Sequence, residues 1–252
     1  MAATYSLNVS RIEPLSPHQK RIVLNGAALA AFPEDFDGGY IKVLFASTDG
    51  DVAAEEAKPP ECVRRSFTVR RFDAAHQELT LDVAEHQALG PGMRWAKTVA
   101  VGDRVRVAGP GPVKRLDPTA GWFLAAGDLS ALPAIEVNLE RLPSSAVGHV
   151  FVEIPEDSAR RPLVAPHGVA IHWIENARPN VDESPLLDAV RALDWRSGRV
   201  SAWVACEFAA MRRFRSYLRD ERQLTREDFY LSSYWKLGAT DEEHKAAKQA
   251  DK

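Results

Sequence analysis

Gly109-Pro110-Gly111-Pro112 decides how this chain of 252 residues is organised. Two prolines lack the amide donor and two glycines leave the backbone unrestrained, so regular structure has to stop here. Reading back from it, Asp103–Ala108, Glu78–Val83, Ser66–Phe72, Tyr40–Phe45 and Arg21–Leu24 are short β-branched or aromatic runs bounded by turn residues. Tyr5, Leu7 and Val9 alternate with polar neighbours in the same way. Helical periodicity is weak in this half, and strands in succession without helices between them form a barrel or a sandwich. Glu55–Pro60 reads as a hairpin loop.

Reading forward, the pattern alternates. Trp122–Ala126 is a buried-strand run, and Ala131–Leu142 is helical with Leu132, Ile135 and Leu139 on one face. His149–Ile154, Val169–Ile174 and Arg199–Cys206 read as strands. A helix over Ser184–Leu193 has Ser184 at its N-cap and Pro185 in its first turn, and one over Phe208–Leu218 has Phe208, Met211, Phe214 and Leu218 in step. This order implies a mostly parallel sheet covered by helices. Phe229–Leu237 is aromatic, and Thr240–Lys252 is a charged helix opened by a capping box of Thr240 and Glu243. The expected division is residues 1–115, 116–228 and 229–252.

Composition narrows the function. Thirty-two Lys and Arg stand against 35 Asp and Glu, a net charge of -3 that argues against a general nucleic-acid binder. Cys62 and Cys206 lie 144 positions apart, which suits neither a zinc site nor a disulfide framework, and points to a reducing compartment. Met1–Ser10 lacks the pattern of a secretory leader, and the longest apolar runs, Trp122–Ala126 and Val200–Cys206, fall far short of the ~20 residues of a membrane span. The expectation is a soluble cytoplasmic protein.

A barrel followed by a small parallel α/β unit is expected to leave a cleft, a favoured place for ligands. Two segments offer chemistry there. Arg64-Arg65-Ser66-Phe67-Thr68-Val69-Arg70 sets Arg65, Phe67 and Val69 on one strand face and Ser66, Thr68 and Arg70 on the other. Its arginines, aromatic ring and hydroxyls suit a phosphate-bearing aromatic ligand, although a solvated edge strand has the same pattern. His86-Gln87-Ala88-Leu89-Gly90-Pro91-Gly92-Met93-Arg94-Trp95-Ala96 places a Gly-rich turn before a short helix expected from Arg94 to Thr98. Such a turn can turn backbone N–H groups towards a pyrophosphate, or be a plain connection with Trp95 in the core.

Together these segments resemble the siderophore-interacting protein family, flavin-dependent ferric-siderophore reductases with a ferredoxin-reductase-like fold. Arg65–Arg70 resembles the family's R-x-Y-T-x-R with Phe67 for Tyr, and His86–Ala96 resembles H-x-x-x-G-P-A-x-R-W-A. Gly127-Asp128-Leu129-Ser130-Ala131-Leu132-Pro133-Ala134-Ile135 is similar to G-D-E-T-A-L-P-A-I, and Tyr40–Phe45 to H-V-K-L-x-F. Trp203–Glu207 with Ala210-Met211-Arg212 resembles A-G-E-x-x-x-M-R, and Tyr230–Gly238 resembles Y-x-x-G-Y-W-R/K-x-G.

The resemblance implies an N-terminal FAD-binding antiparallel β-barrel followed by a ferredoxin-reductase-like NAD(P)H-binding-type α/β domain, with the C-terminal segment over the cleft. It implies FAD contacts from Arg65, Ser66, Phe67 and Thr68, from Asp82 and Val83, and from His86, Gly92, Met93, Arg94, Trp95 and Thr98. Asp128 would complete the cofactor set, and Trp235 would either cover the flavin or pack in the core. Lys42 would lead a basic surface for a ferric siderophore, with Lys114, Arg115, Lys236 and Lys245, and with Lys248 and Lys252 on the last helix. Cys206, where the family has Gly, would be a thiol near a nicotinamide or a buried strand-end residue. The implied donor is NADH, NADPH or ferredoxin. No proton-transfer residue and no protein-held metal is expected. The competing expectations are a flavin-free siderophore-binding protein and a general NAD(P)H flavin reductase.

Overall fold

The computed structural model describes residues 3–46, 62–86 and 90–251. The expected hairpin loop Glu55–Pro60, residues 87–89 of the second motif, and Lys252 lie outside the described residues. The chain divides into two compact units, Met1–Lys114 and Arg115–Lys252.

The first unit is a closed antiparallel barrel of six strands: β1 (Thr4–Ser16), β2 (Gln19–Asn25), β3 (Tyr40–Ala46), β4 (Cys62–Asp73), β5 (Glu78–Ala84) and β6 (Arg104–Ala108). Neighbours run β1-β2-β5-β4-β3-β6, so the barrel, not the sandwich, is the solution adopted. Alternation along the strands puts Leu7, Val9, Ile22, Leu24, Ile41, Val43, Leu79, Leu81, Val105 and Val107 in one core. Burying that face closes the ring and leaves no long exposed edge.

One seam is incomplete. β4 pairs with β5 from Asp73↔Glu78 to Val69↔Leu81, with a register shift between Val69 and Arg71. Beyond that shift the Cys62–Thr68 half of β4 pairs with β3 alone, in the register Tyr40↔Thr68, Lys42↔Ser66 and Val43↔Arg65. A bulge bends its strand and twists it more strongly, which ends the pairing. The gap is spanned in the chain by helix α1 (Pro91–Thr98), which follows β5.

The second unit is a five-stranded parallel sheet. Its elements are β7 (Trp122–Asp128), α2 (Leu132–Glu140), β8 (Val147–Ile154), β9 (Gly168–Glu175), α3 (Pro185–Arg191), β10 (Val200–Glu207), α4 (Phe208–Ser216), β11 (Phe229–Trp235) and α5 (Asp241–Ala250). The order β11-β10-β7-β8-β9 reverses direction between β7 and β10. Every residue of β10 is buried, and Val200, Ala202, Val204 and Cys206 pack in one cluster with side chains of α3 and α4. The aromatic segment Phe229–Leu237 enters this sheet as the edge strand β11, paired in parallel with β10 from Ala202↔Phe229 onward. The Ser184 hydroxyl accepts from Leu187 N–H, and the Thr240–Glu243 capping box closes the start of α5, both as the sequence predicts.

β7 turns directly into α2, and Gly127 makes that turn possible. A Cβ there would stand 2.6 Å from both the Ala131 Cβ and the Ala205 carbonyl oxygen. Neither neighbour is a flexible side-chain end, so Gly127→Ala is expected to destabilise the protein by about 1–3 kcal/mol, the usual cost of overpacking. Urea unfolding followed by the second unit's tryptophan fluorescence checks this; an unchanged midpoint would contradict the packing described.

Candidate functional site

On the barrel, the two sequence motifs meet. α1 starts at Pro91, three residues before the expected Arg94, because proline is pre-set for a first helical turn and Gly90 supplies the cap. The Gly90 carbonyl accepts from Met93 N–H and Arg94 N–H, both at 3.0 Å. The Gly92 amide is left without a helical acceptor. A Cβ at Gly92 would lie 3.3 Å from Arg65 Cγ and 3.4 Å from Phe67 Cζ. The helix start therefore rests on the arginine stem and the aromatic ring of β4. A Cβ at Gly90 would meet open space.

Trp95 locks this contact. Its ring meets Phe67 edge-on at 5.4 Å and Phe45 at 6.0 Å. Such aromatic pairs add about 0.5–1.5 kcal/mol beyond their buried area. Trp95, Met93 and Ala96 face the barrel core, while Arg94 and Lys97 face solvent. Thr98 stands at the far end of α1 and donates its hydroxyl to the Arg94 carbonyl at 3.0 Å. Ser66 is exposed, Thr68 is half-buried opposite Tyr40, and His86 is exposed after β5. Val83 is buried. The Asp82 carboxylate is taken by Arg21, which donates from Nε at 2.7 Å and from Nη2 at 2.8 Å. Lys42 is half-buried on β3, its ammonium 6.0 Å from the Tyr40 ring centroid.

In the second unit, acids gather where the strands end. Asp128 at the end of β7 accepts from Ser130 N–H at 2.8 Å and from Trp235 Nε1 at 2.7 Å. Glu153 of β8 sits in register beside Asp128. Glu207 of β10 caps α4 by accepting from Ala209 N–H and Ala210 N–H, and holds Leu237 N–H at 3.0 Å on its other oxygen. Burial pushes the Asp128 carboxyl above its ordinary range, against the hydrogen bonds from Ser130 and Trp235 that lower it. Burial also pushes Glu153 up to about 7, helped by the charges of Asp128 and Glu207. Cys206 is buried in the core, and burial together with these three carboxylates holds its thiol protonated.

Comparison with known proteins follows this division. Residues 8–114 match the family model of the siderophore-interacting FAD-binding domain, and residues 120–238 match that of the siderophore-interacting protein. The chain is 34% identical over 249 residues to the ferric vibriobactin reductase ViuB of Vibrio cholerae, covering 94% of this chain and 90% of that one. The chain belongs to the siderophore-interacting protein family. The siderophore-interacting protein SipS from Aeromonas hydrophila superposes with a TM-score of 0.88 at 30% identity, covering 99% of this chain and 98% of that one. A siderophore utilization protein from T. fusca does so with a TM-score of 0.84 at 30% identity, covering 95% of each chain. The Amycolatopsis cytochrome P450 reductase GcoB shares the fold, with a TM-score of 0.65 at 16% identity over 93% of this chain and 71% of that one.

The barrel of this siderophore-interacting protein fits a flavin dinucleotide on its own geometry. Arg65 supplies a charge, the first turn of α1 supplies backbone donors, Phe67 supplies an apolar ring, and the incomplete seam beside Thr68 leaves strand edges unpaired by β5. The expected basic residues belong to both units. Lys114 is exposed and Arg115 half-buried at the junction of the units. Lys236 lies 5.9 Å from the Phe208 ring centroid, and Lys245 is paired with Asp241 one helical turn away. Lys248, by contrast, reaches back to β11, donating to Ser233 O at 2.9 Å and Ser232 Oγ at 3.2 Å.

Motif reading missed Glu153. The signal was a lone acid in the apolar run Val150-Phe151-Val152-Glu153-Ile154, but its meaning depends on register with Asp128, which one strand cannot reveal. The consequence is a pH dependence. A carboxyl that keeps its proton up to about 7 when folded, against 4.5 otherwise, makes the folded state the better proton binder in that window. Its stabilising contribution is therefore full below pH 4.5 and is lost as the pH rises through 7. Glu153→Gln is expected to flatten this part of the stability profile, measured by urea unfolding at intervals across the window. An identical slope in the variant would remove Glu153 as the cause.

Proposed function

We propose that this chain is an FAD-dependent oxidoreductase that reduces the iron of ferric siderophores, working in the cytoplasm and drawing electrons from NADH, NADPH or ferredoxin. The observation that carries this reading is the close approach of α1 to Arg65 and Phe67, inside the region that matches the family's FAD-binding domain. The names of its relatives, ferric vibriobactin reductase and ferric acinetobactin reductase, support the substrate class.

The chemistry asks little acid–base work of the protein. Siderophores hold Fe(III) with hard oxygen donors, and the softer, less charged Fe(II) is held far less tightly. FAD, when bound, takes up electrons in a pair and releases them singly, which is what a one-electron metal needs. Arg65 and the amides at the start of α1 hold phosphate oxygens. Phe67, fixed by Trp95, offers a ring face, and Thr68 a hydroxyl. The Arg21 ion pair fixes Asp82 on β5, so that the unpaired backbone there keeps its place. Lys42 leads the recruitment of an anionic chelate, with Lys114, Arg115 and Lys236 contributing to the field that raises the encounter rate. Lys245, already paired with Asp241, contributes less.

The purified protein is expected to carry flavin absorbance bands, and to yield Fe(II) to a ferrous chelator when a ferric siderophore and a donor are supplied anaerobically. A protein that takes up no FAD, or that binds the chelate without yielding Fe(II), would sink the reading. Arg65→Ala is expected to weaken FAD binding by roughly 10- to 100-fold, the equivalent of one charge-assisted hydrogen bond of about 1.5–3 kcal/mol. Flavin retention after dialysis reads this out.

Lys42→Ala is expected to leave FAD content unchanged and to weaken ferric-siderophore binding by about two- to fivefold, as the loss of one partly solvated charge does, more at low salt than at high. Fluorescence quenching titrations at two ionic strengths test it. Equal affinity in variant and parent would take Lys42 out of the docking surface.

A further inference from the structure

Away from the strand ends of the second unit, two imidazoles share one face of the sheet. His149 lies on β8 and His172 on the edge strand β9, where His172 is in register with Phe151 and His149 with Ala170. The Nδ1 of His149 lies 3.1 Å from the Nε2 of His172. Phe151 stacks on His172 with ring centroids 4.4 Å apart and planes 11° from parallel, which fixes that ring. The two imidazoles are themselves stacked at 5.4 Å. Both are half-buried.

We propose that His149 and His172 form a two-nitrogen site for a divalent transition-metal ion, bridging β8 to β9. Nitrogens 3.1 Å apart, each about 2.05 Å from one ion, would subtend roughly 100° at it. That lies between the square-planar and tetrahedral angles, the range that zinc, nickel and copper accept. Imidazole is the preferred ligand type for these ions. Burial lowers the proton affinity of both rings, and His149 is lowered further by His172 and by Arg196. The ring that donates in the present pair moves its proton to its other nitrogen, and the two rings turn so that both lone pairs leave the Nδ1–Nε2 line and converge on the ion. Among the described residues no group of three or more His, Cys, Asp or Glu surrounds a common point, so water completes the coordination. Arg196, exposed on the loop before β10, is the opposing charge.

The test uses the flavin-loaded full chain and zinc chloride at pH 7.5, followed by calorimetry. One saturable zinc is expected at this pair. His149→Ala and His172→Ala should each weaken it by roughly tenfold or more, since even outer-sphere partners of a metal ligand are worth that much. Arg196→Ala should tighten it, and His76→Ala, which removes an exposed imidazole held by Asp73, should leave it unchanged. In parallel, histidine-ring NMR of the unsubstituted protein should show the His149 and His172 resonances shifting together with the first equivalent of zinc. That measurement decides the matter if a variant fails to fold. Absence of binding below millimolar zinc, an affinity in both alanine variants equal to the parent's, or first-equivalent shifts confined to other histidines would each overturn the proposal.

Discussion

The barrel's chemistry depends on the close approach of helix α1 to strand β4. A Cβ at position 92 would lie 3.3 Å from Arg65 Cγ and 3.4 Å from Phe67 Cζ, so the start of α1 comes down onto β4 with room for no more than a small side chain between them. Without that approach, the arginine and the helix start would be separate features: an arginine on a strand and an ordinary loop-to-helix junction. With it, a cation, an aromatic ring and a set of backbone donors converge within a few residues' width. The incomplete seam between β4 and β5 serves the same end. The register shift at Val69–Arg71 ends the ladder where pairing would otherwise consume the strand edges beside Thr68.

Phe67, standing where the family motif has tyrosine, changes how the ring is held. A tyrosine could anchor itself through its hydroxyl. Phe67 has only packing, and the structure supplies it through the edge-on contact with Trp95, which in turn leans on Phe45. The ring's orientation is therefore tied to the barrel core, and it inherits the stability of that core rather than of a local hydrogen bond.

Much of this architecture was legible in the sequence, because alternation and punctuation act locally. The apolar period of two fixed the faces of β1 to β6, the Gly109–Pro112 break marked the change of pattern, and Ser184, Pro185 and Thr240 announced their helices. The closure of strands into a barrel and the entry of Phe229–Trp235 into the sheet were not legible locally, since both are set by which strand finds which partner. The candidate site divides the same way. Arg65 and the Gly-Pro-Gly turn could be found as motifs, but that Gly92 touches Arg65, or that Glu153 stands beside Asp128, follows from register and packing alone.

The carboxylates of the second unit are better understood as fasteners than as acids or bases. Asp128 receives the Trp235 indole, and Glu207 receives the Leu237 amide while capping α4, so two carboxylates grip either side of Lys236. Buried acceptors with satisfied hydrogen bonds hold backbone more sharply than apolar contacts do, because a displaced partner leaves an uncompensated group in a low-dielectric setting. β11 is an edge strand and would otherwise be the least constrained of the sheet. From its inner side Ser233 meets His244 at 2.8 Å, and Lys248 binds the Ser233 carbonyl, so α5 clamps the other face of the same strand. The resulting geometry fixes a lysine at the end of a strand by two acids that do not touch its ammonium. Lys236 is thereby held through its neighbours, with its ammonium 5.9 Å from the Phe208 ring centroid and its charge helping to lower the Glu243 carboxyl, whereas Lys245 is paired directly with Asp241.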